Sequence, residues 1–175
     1  VVDGAVRVAE VASESVWAKG AQSSLEDLHA DHVAALAAAW RADAMDEHAS
    51  IPSFLRFGLE LVHLGAPPEL ISLASSAVMD EVRHAQIATQ MAKRIDGRSE
   101  GPGALDCGDI TARTDWAQIA AACVYEGCVG ETIAAAQLAV AARTAPTELA
   151  TTLAAMSHDE EQHAGLAWRF IAWSW

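Results

Sequence analysis

The sequence predicts an all-α fold of four helices of about thirty residues each, paired into two hairpins and joined by one long connection. Three observations predict it. Apolar and small residues recur at spacings of three and four over four long stretches, and Gly/Pro clusters fall between them. The second half also repeats the first. A shift of 79 positions, 47 to 126, carries Glu47 onto Glu126, Glu81 onto Glu160 and His84 onto His163. The same shift carries Asp80 onto Asp159, Ala85 onto Ala164, Pro67 onto Pro146, Glu69 onto Glu148 and Leu70 onto Leu149. The recurring core is Pro-x-Glu-Leu, then Asp-Glu-x-x-His-Ala. A repeat this long is a supersecondary unit, and two copies fit one compact domain.

Residues 1–24 lack a helical period; Val6, Arg7 and Val8 alternate as a short strand or arm would. They are expected to form an appendage to a bundle domain spanning 25–175. From about Leu25 to Leu64, Leu28, His32, Leu36, Trp40, Ala44 and Glu47 share a helical spacing, and Gly65 with Pro67 and Pro68 separates this helix from the next. Pro52 lies inside the first helix, must remove one backbone hydrogen bond, and is expected to kink it just past Glu47. The second helix runs from about Pro67 to Ile95, ended by Asp96-Gly97 and the Gly101-Pro102-Gly103 cluster. The connection 96–114 can stretch to roughly 60 Å against a helix length of roughly 40 Å, enough to cross a bundle from end to end. Asp115 and Gln118 make a capping-box-like start for the third helix, which runs to about Arg143. Pro146 opens the fourth, which ends in Trp168, Phe170, Trp173 and Trp175. Those aromatics read most simply as core or end packing; a homodimer surface is the sharper reading.

Composition narrows the function. At 175 residues and 52% hydrophobic, the chain can bury one good core and is too short for two ordinary domains. Eleven basic against 24 acidic residues give a net charge of -13, which disfavours any nucleic-acid partner. Cys107, Cys123 and Cys128 are too few for a disulfide framework or a Cys-rich zinc site, and suit a reducing compartment. Cys123 and Cys128 read as small buried thiols on a helix rather than as a redox pair. No uninterrupted apolar run reaches membrane-spanning length, and no leader is visible. Cytoplasmic residence is the default, with an exported form left open because the chain starts at Val1.

The repeated acids and histidines carry the chemistry. Positions i and i+3 of a helix share one face, so Glu81 with His84, and Glu160 with His163, can each grip one ion. Carboxylate with imidazole suits iron or manganese, whereas all-carboxylate cages suit calcium or magnesium and thiolates suit zinc. With Glu47 and Glu126 the set holds four carboxylates, whose charge balances two divalent cations and so explains how the acids tolerate a bundle interior.

One Glu from each of two helices, with Glu-x-x-His from the other two, is the pattern of di-iron and di-manganese bundles. On these residues, over about 28–173, the chain resembles the ferritin-like carboxylate proteins, a group that includes ferritins, rubrerythrins, bacterial multicomponent monooxygenases and tRNA-modifying hydroxylases. Asp80-Glu81-Val82-Arg83-His84 is similar to the Asp-Glu-x-Arg-His signature of the oxygenase branch; Asp159-Glu160-Glu161-Gln162-His163 departs from it at Gln162. The resemblance implies a ferritin-like four-helix bundle, with Glu47 and His84 on one metal, Glu126 and His163 on the other, and Glu81 and Glu160 bridging. It also implies that Asp80 and Asp159 sit behind the ligands, each accepting the free ring N–H of the histidine from the opposite half.

Glu131 competes with Glu126. Five residues on an α-helix is a large rotation, so both cannot point equally well at one centre, and the repeat selects Glu126 because Glu131 aligns with Pro52. Glu131 is kept as an extra or shifting ligand. Trp40 reads as core, His48 as a surface residue or one behind the ligands, and His29, His32, His63 and His158 have no partners in the repeat. Tyr125 adjoins Glu126 but points elsewhere. The leading functional expectation is an oxidoreductase that uses two iron ions, or two manganese or a mixed pair, to activate dioxygen or peroxide, with the same six ligands as its catalytic residues. No paired Cys-x-x-Cys motif is present for internal electron delivery, so an external electron donor is expected. The alternatives are a ferroxidase or iron-storage protein, and a non-enzymatic metal-binding module.

Overall fold

The computed structural model describes residues 7–19, 30–108 and 110–175. Val6 of the expected arm, and the expected helix start at 25–29 with Leu28 and His29, lie outside the described residues. The fold is all-α in character. Four long helices dominate: α1 (Ala30–Leu64), α2 (Pro68–Asp96), α3 (Trp116–Thr144) and α4 (Thr147–Ser174).

Each helix end follows its local chemistry. α1 runs through Pro52 without ending there. It stops at Gly65, whose φ of 69° is left-handed, and the Ala66 amide closes the end by donating to Leu61 O at 2.9 Å. α2 starts at Pro68, where a missing N–H costs nothing, one residue later than the sequence suggests. Gly97, at φ 77°, ends it in the same left-handed way, its amide donating to Lys93 O. Asp115 caps α3 by accepting from the Gln118 amide at 2.9 Å.

Two expectations change. Among the described residues of the N-terminal segment the strand is β1 (Val11–Ala12), not Arg7 and Val8, and it pairs antiparallel with β2 (Gly101–Pro102) inside the connection. The linker glycines decide the place. A side chain on Gly103 would come within 2.8 Å of Glu10 O, and its amide donates to that same carbonyl. The second change lies in α3, which is not α-helical throughout: Trp116–Ala122 and Thr132–Thr144 are α, and Cys123–Glu131 between them is a π-helix. α3 also bears on the membrane question. Glu126 and Glu131 interrupt its apolar run, yet by length and composition alone it is long and apolar enough to cross a membrane.

The chain divides into two compact units, one of Val1–Ser53 with Val78–Ile110, the other of Phe54–Ala77 with Thr111–Trp175. In the first, Trp40 is buried together with small residues such as Ala37, Ala44, Ala85, Ala88 and Ala92, which let helical segments pack closely. Arg41 forks onto both carboxylate oxygens of Asp96 at 2.8 Å. The second unit is built on Leu61, Ile119, Leu153, Met156, Leu166 and Phe170. Gly127 permits close helix contact there, since a Cβ on it would stand 2.6 Å from that of Ala167. Of the aromatic tail, only Phe170 is core, edge-on to Phe57 at 5.3 Å; Trp168, Trp173 and Trp175 are exposed.

Asp96 offers a test of the first unit. Burial alone would raise its pKa, but hydrogen bonds from Arg41 and Arg98 outweigh that and hold it below the usual value of 3.8. A depressed folded-state pKa stabilises the fold above that value and stops doing so as pH falls through the lower folded one. Asp96→Asn is therefore expected to cost about 2 kcal/mol in urea unfolding at pH 7. The gap between variant and parent should close as the pH drops below 3.8.

Candidate metal centre

Each unit carries a cluster of two carboxylates and one imidazole. In the first, α1 supplies Glu47, and α2 supplies Glu81 and His84 from one face at i and i+3. Their candidate ligand atoms lie within 4.8 Å of one another. Glu81 and His84 are buried, at 1% and 0% exposure. Glu47 is half-buried, with Oε2 at 3.6 Å from His84 Nδ1. In the second unit, Glu131 comes from the last residue of the π-helix, and Glu160 and His163 from α4. These three also lie within 4.8 Å of one another. His163 Nδ1 is 3.1 Å from Glu160 Oε2 and 3.9 Å from Glu131 Oε2, and the Phe54 ring packs edgewise on the imidazole at 5.0 Å. In both clusters Nδ1 is the ring nitrogen that faces the acids.

Among the described residues, Glu126 is not in either cluster; Glu131 stands where the repeat had placed it. The premise behind that choice was an α-helical rotation, and the π-helix removes it. A π-helix closes its hydrogen bonds from i to i+5, so residues five apart sit about one turn from each other on the same side. Glu126 is drawn to two arginines instead. Arg56 donates to its Oε2 at 2.8 Å, and Arg113 Nη2 lies 3.5 Å from its Oε1.

That arrangement belongs to a network the sequence reading missed. Glu60, 1% exposed, accepts from the Arg113 amide at 2.9 Å, and Arg113 Nη1 lies 3.3 Å from the same oxygen. Arg56, four residues before Glu60 on α1, lies 3.6 Å from it. Two guanidinium groups and two carboxylates make a neutral, largely buried set, which tolerates burial far better than any member alone. A signal existed. Arg56, Glu60 and Arg113 map under the 79-residue shift to Ala135, Ala139 and Ala34, so the charges have no counterpart in the other half.

No protein-family model, curated protein or solved structure matches the chain. The site must therefore be read from its own residues.

The remaining candidates fall into place. Asp80 pairs with Arg83 at 2.9 Å on α2, and Asp159 is half-buried on α4. The Trp17 ring meets His48 edge-on at 5.4 Å, and burial lowers the His48 pKa. Trp40 is core, as expected. Tyr125 is 71% exposed. His32, His63 and His158 are exposed; His29 lies outside the described residues. Cys123 and Cys128 are buried on the π-helix, and that burial pushes both thiol pKa values up.

The donor set fits a divalent transition metal. Two carboxylates and a neutral imidazole per cluster offer hard oxygen donors with one borderline nitrogen, the mixture that suits iron or manganese. Buried acids so close together repel unless a cation or a proton intervenes. If Glu131 ligates and Glu126 is structural, Glu131→Ala should weaken metal binding at least tenfold while leaving the fold intact. Glu126→Ala should retain metal but lose about 2 kcal/mol of stability, because two arginines are left undercompensated. Metal titration followed by urea unfolding of each variant checks both outcomes.

Proposed function

We propose that the chain is a two-metal carboxylate protein of the ferritin-like kind, an oxidoreductase that uses two iron or manganese ions to activate dioxygen or peroxide. The observation that carries this reading is the pair of Glu/Glu/His clusters, one per unit, built on duplicated Glu-x-x-His turns. In the proposed centres Glu47, Glu81 and His84 would hold one ion, and Glu131, Glu160 and His163 the other. Four carboxylates and two neutral imidazoles sum to a charge that two divalent ions cancel.

When bound, such ions supply the electrons and the Lewis acidity for reducing an oxygen species. The chain's own residues do the rest. His84 and His163 present Nδ1 toward the acids, and Phe54 holds the His163 ring edgewise, limiting its rotation. The burial of Glu81, His84, Glu160 and His163 keeps bulk water from these donors, which strengthens every charge interaction among them. The Arg56–Glu60–Arg113 group holds Glu126 by its carboxylate, leaving Glu131 to serve the centre.

The test is metal content and oxygen reactivity. Purified protein should carry close to two iron or manganese ions per chain, and anaerobic protein loaded with two ferrous equivalents should consume dioxygen rapidly. A single zinc, or no bound metal, defeats the proposal. Slow oxygen consumption despite two bound ions would instead assign the metals a structural role. A multi-subunit shell that turns over many ferrous ions per chain would make the protein an iron store.

A further inference from the structure

We propose that Cys123 and Cys128 form a redox-active dithiol that oxidation closes into a disulfide across one turn of the π-helix. Nothing in the metal reading uses these residues, and the inference stands without it. It rests on where the π-helix puts them. In an α-helix, residues five apart have Cα atoms roughly 9 Å distant, on different faces. Disulfides need a Cα separation below about 7 Å. Cys123 and Cys128 are the first and sixth residues of the π-helical stretch Cys123–Glu131, where i and i+5 are hydrogen-bonded neighbours along the axis.

Both thiols are buried, at 7% and 2% exposure, and stand one π-helical turn apart. Cys123 Sγ also reaches Ala167 O at 3.7 Å. Two thiols one turn apart on the same side need only loss of their hydrogens and a short approach to form an S–S bond. Burial excludes bulky disulfides that would have to attack a sulfur directly, so the oxidant must be small, and hydrogen peroxide is the class proposed.

The step balances. One sulfur attacks a peroxide oxygen, the O–O bond breaks, and the thiol proton leaves with the departing hydroxide as water. The resulting sulfenic acid is attacked by the second sulfur; the S–S bond forms, the S–O bond breaks, and a second water departs. Two thiols lose two electrons in all, and one peroxide gains them. The bond closes one turn of the segment whose last residue is Glu131, and so fixes the register of that turn.

The experiment uses metal-free, full-length protein carrying Cys107→Ser, which removes the one exposed thiol. Trypsin releases residues 114–143 as a single peptide containing both cysteines and no methionine. After peroxide, that peptide should be lighter by two hydrogens, alkylation of denatured protein should fall at least tenfold, and a thiol reductant should restore both labels. Adding Cys128→Ser should stop the reaction at a sulfenic acid on Cys123 that dimedone traps. Two outcomes overturn the proposal. One is a peptide that gains oxygen without losing two hydrogens. The other is a peptide that stays fully alkylatable under peroxide that has oxidised the exposed Met79.

Discussion

A change of winding in the middle of α3 governs much of what surrounds it. Over Cys123–Glu131 the backbone closes its hydrogen bonds across five residues rather than four, so side chains five apart come onto one side. Among the pairs so placed are Cys123 with Cys128 and Glu126 with Glu131. The first sets two buried thiols one turn apart. The second is divided: Glu131 joins His163 and Glu160, and Glu126 is held by arginines. The segment contains Gly127 and Gly130, residues that weaken an α-helix, and Gly127 is where the Ala167 methyl presses closest. A π turn spends an extra residue, and such turns persist where contacts outside the helix make up the loss.

Charge burial is the second constraint. Glu60, Glu81 and Glu160 are all nearly inaccessible, yet two different solutions operate. Glu60 is neutralised by arginines, one from its own helix and one from the connection that precedes α3. Glu81 and Glu160 sit instead among other carboxylates and imidazoles, a setting that an ion with vacant coordination positions would satisfy. The contrast separates acids neutralised by arginines from acids clustered with imidazoles.

Much of this was legible in the chain. The four helices follow from apolar spacing and from Gly and Pro punctuation; Gly65, Gly97, Pro68 and Asp115 each act at a helix end as their chemistry dictates. The Glu-x-x-His pairs were legible because i and i+3 share a face in any α-helix. What escaped was everything set by contacts distant in sequence. The pairing of β1 with β2 depends on glycines about ninety positions away, and the exposure of Trp168, Trp173 and Trp175 depends on what covers them.

The sequence by itself therefore determined the helical class, the internal repeat and five of the acids and histidines in the clusters: Glu47, Glu81, His84, Glu160 and His163. Tertiary structure decided the sixth. Repeat arithmetic favoured Glu126 because it assumed one winding along both halves, and a hydrogen-bond ladder is not written in residue spacing. Arg56 and Arg113 draw Glu126 to themselves, and the π turn delivers Glu131 to His163. Those partners come from elsewhere in the chain, and only folding brings them within reach.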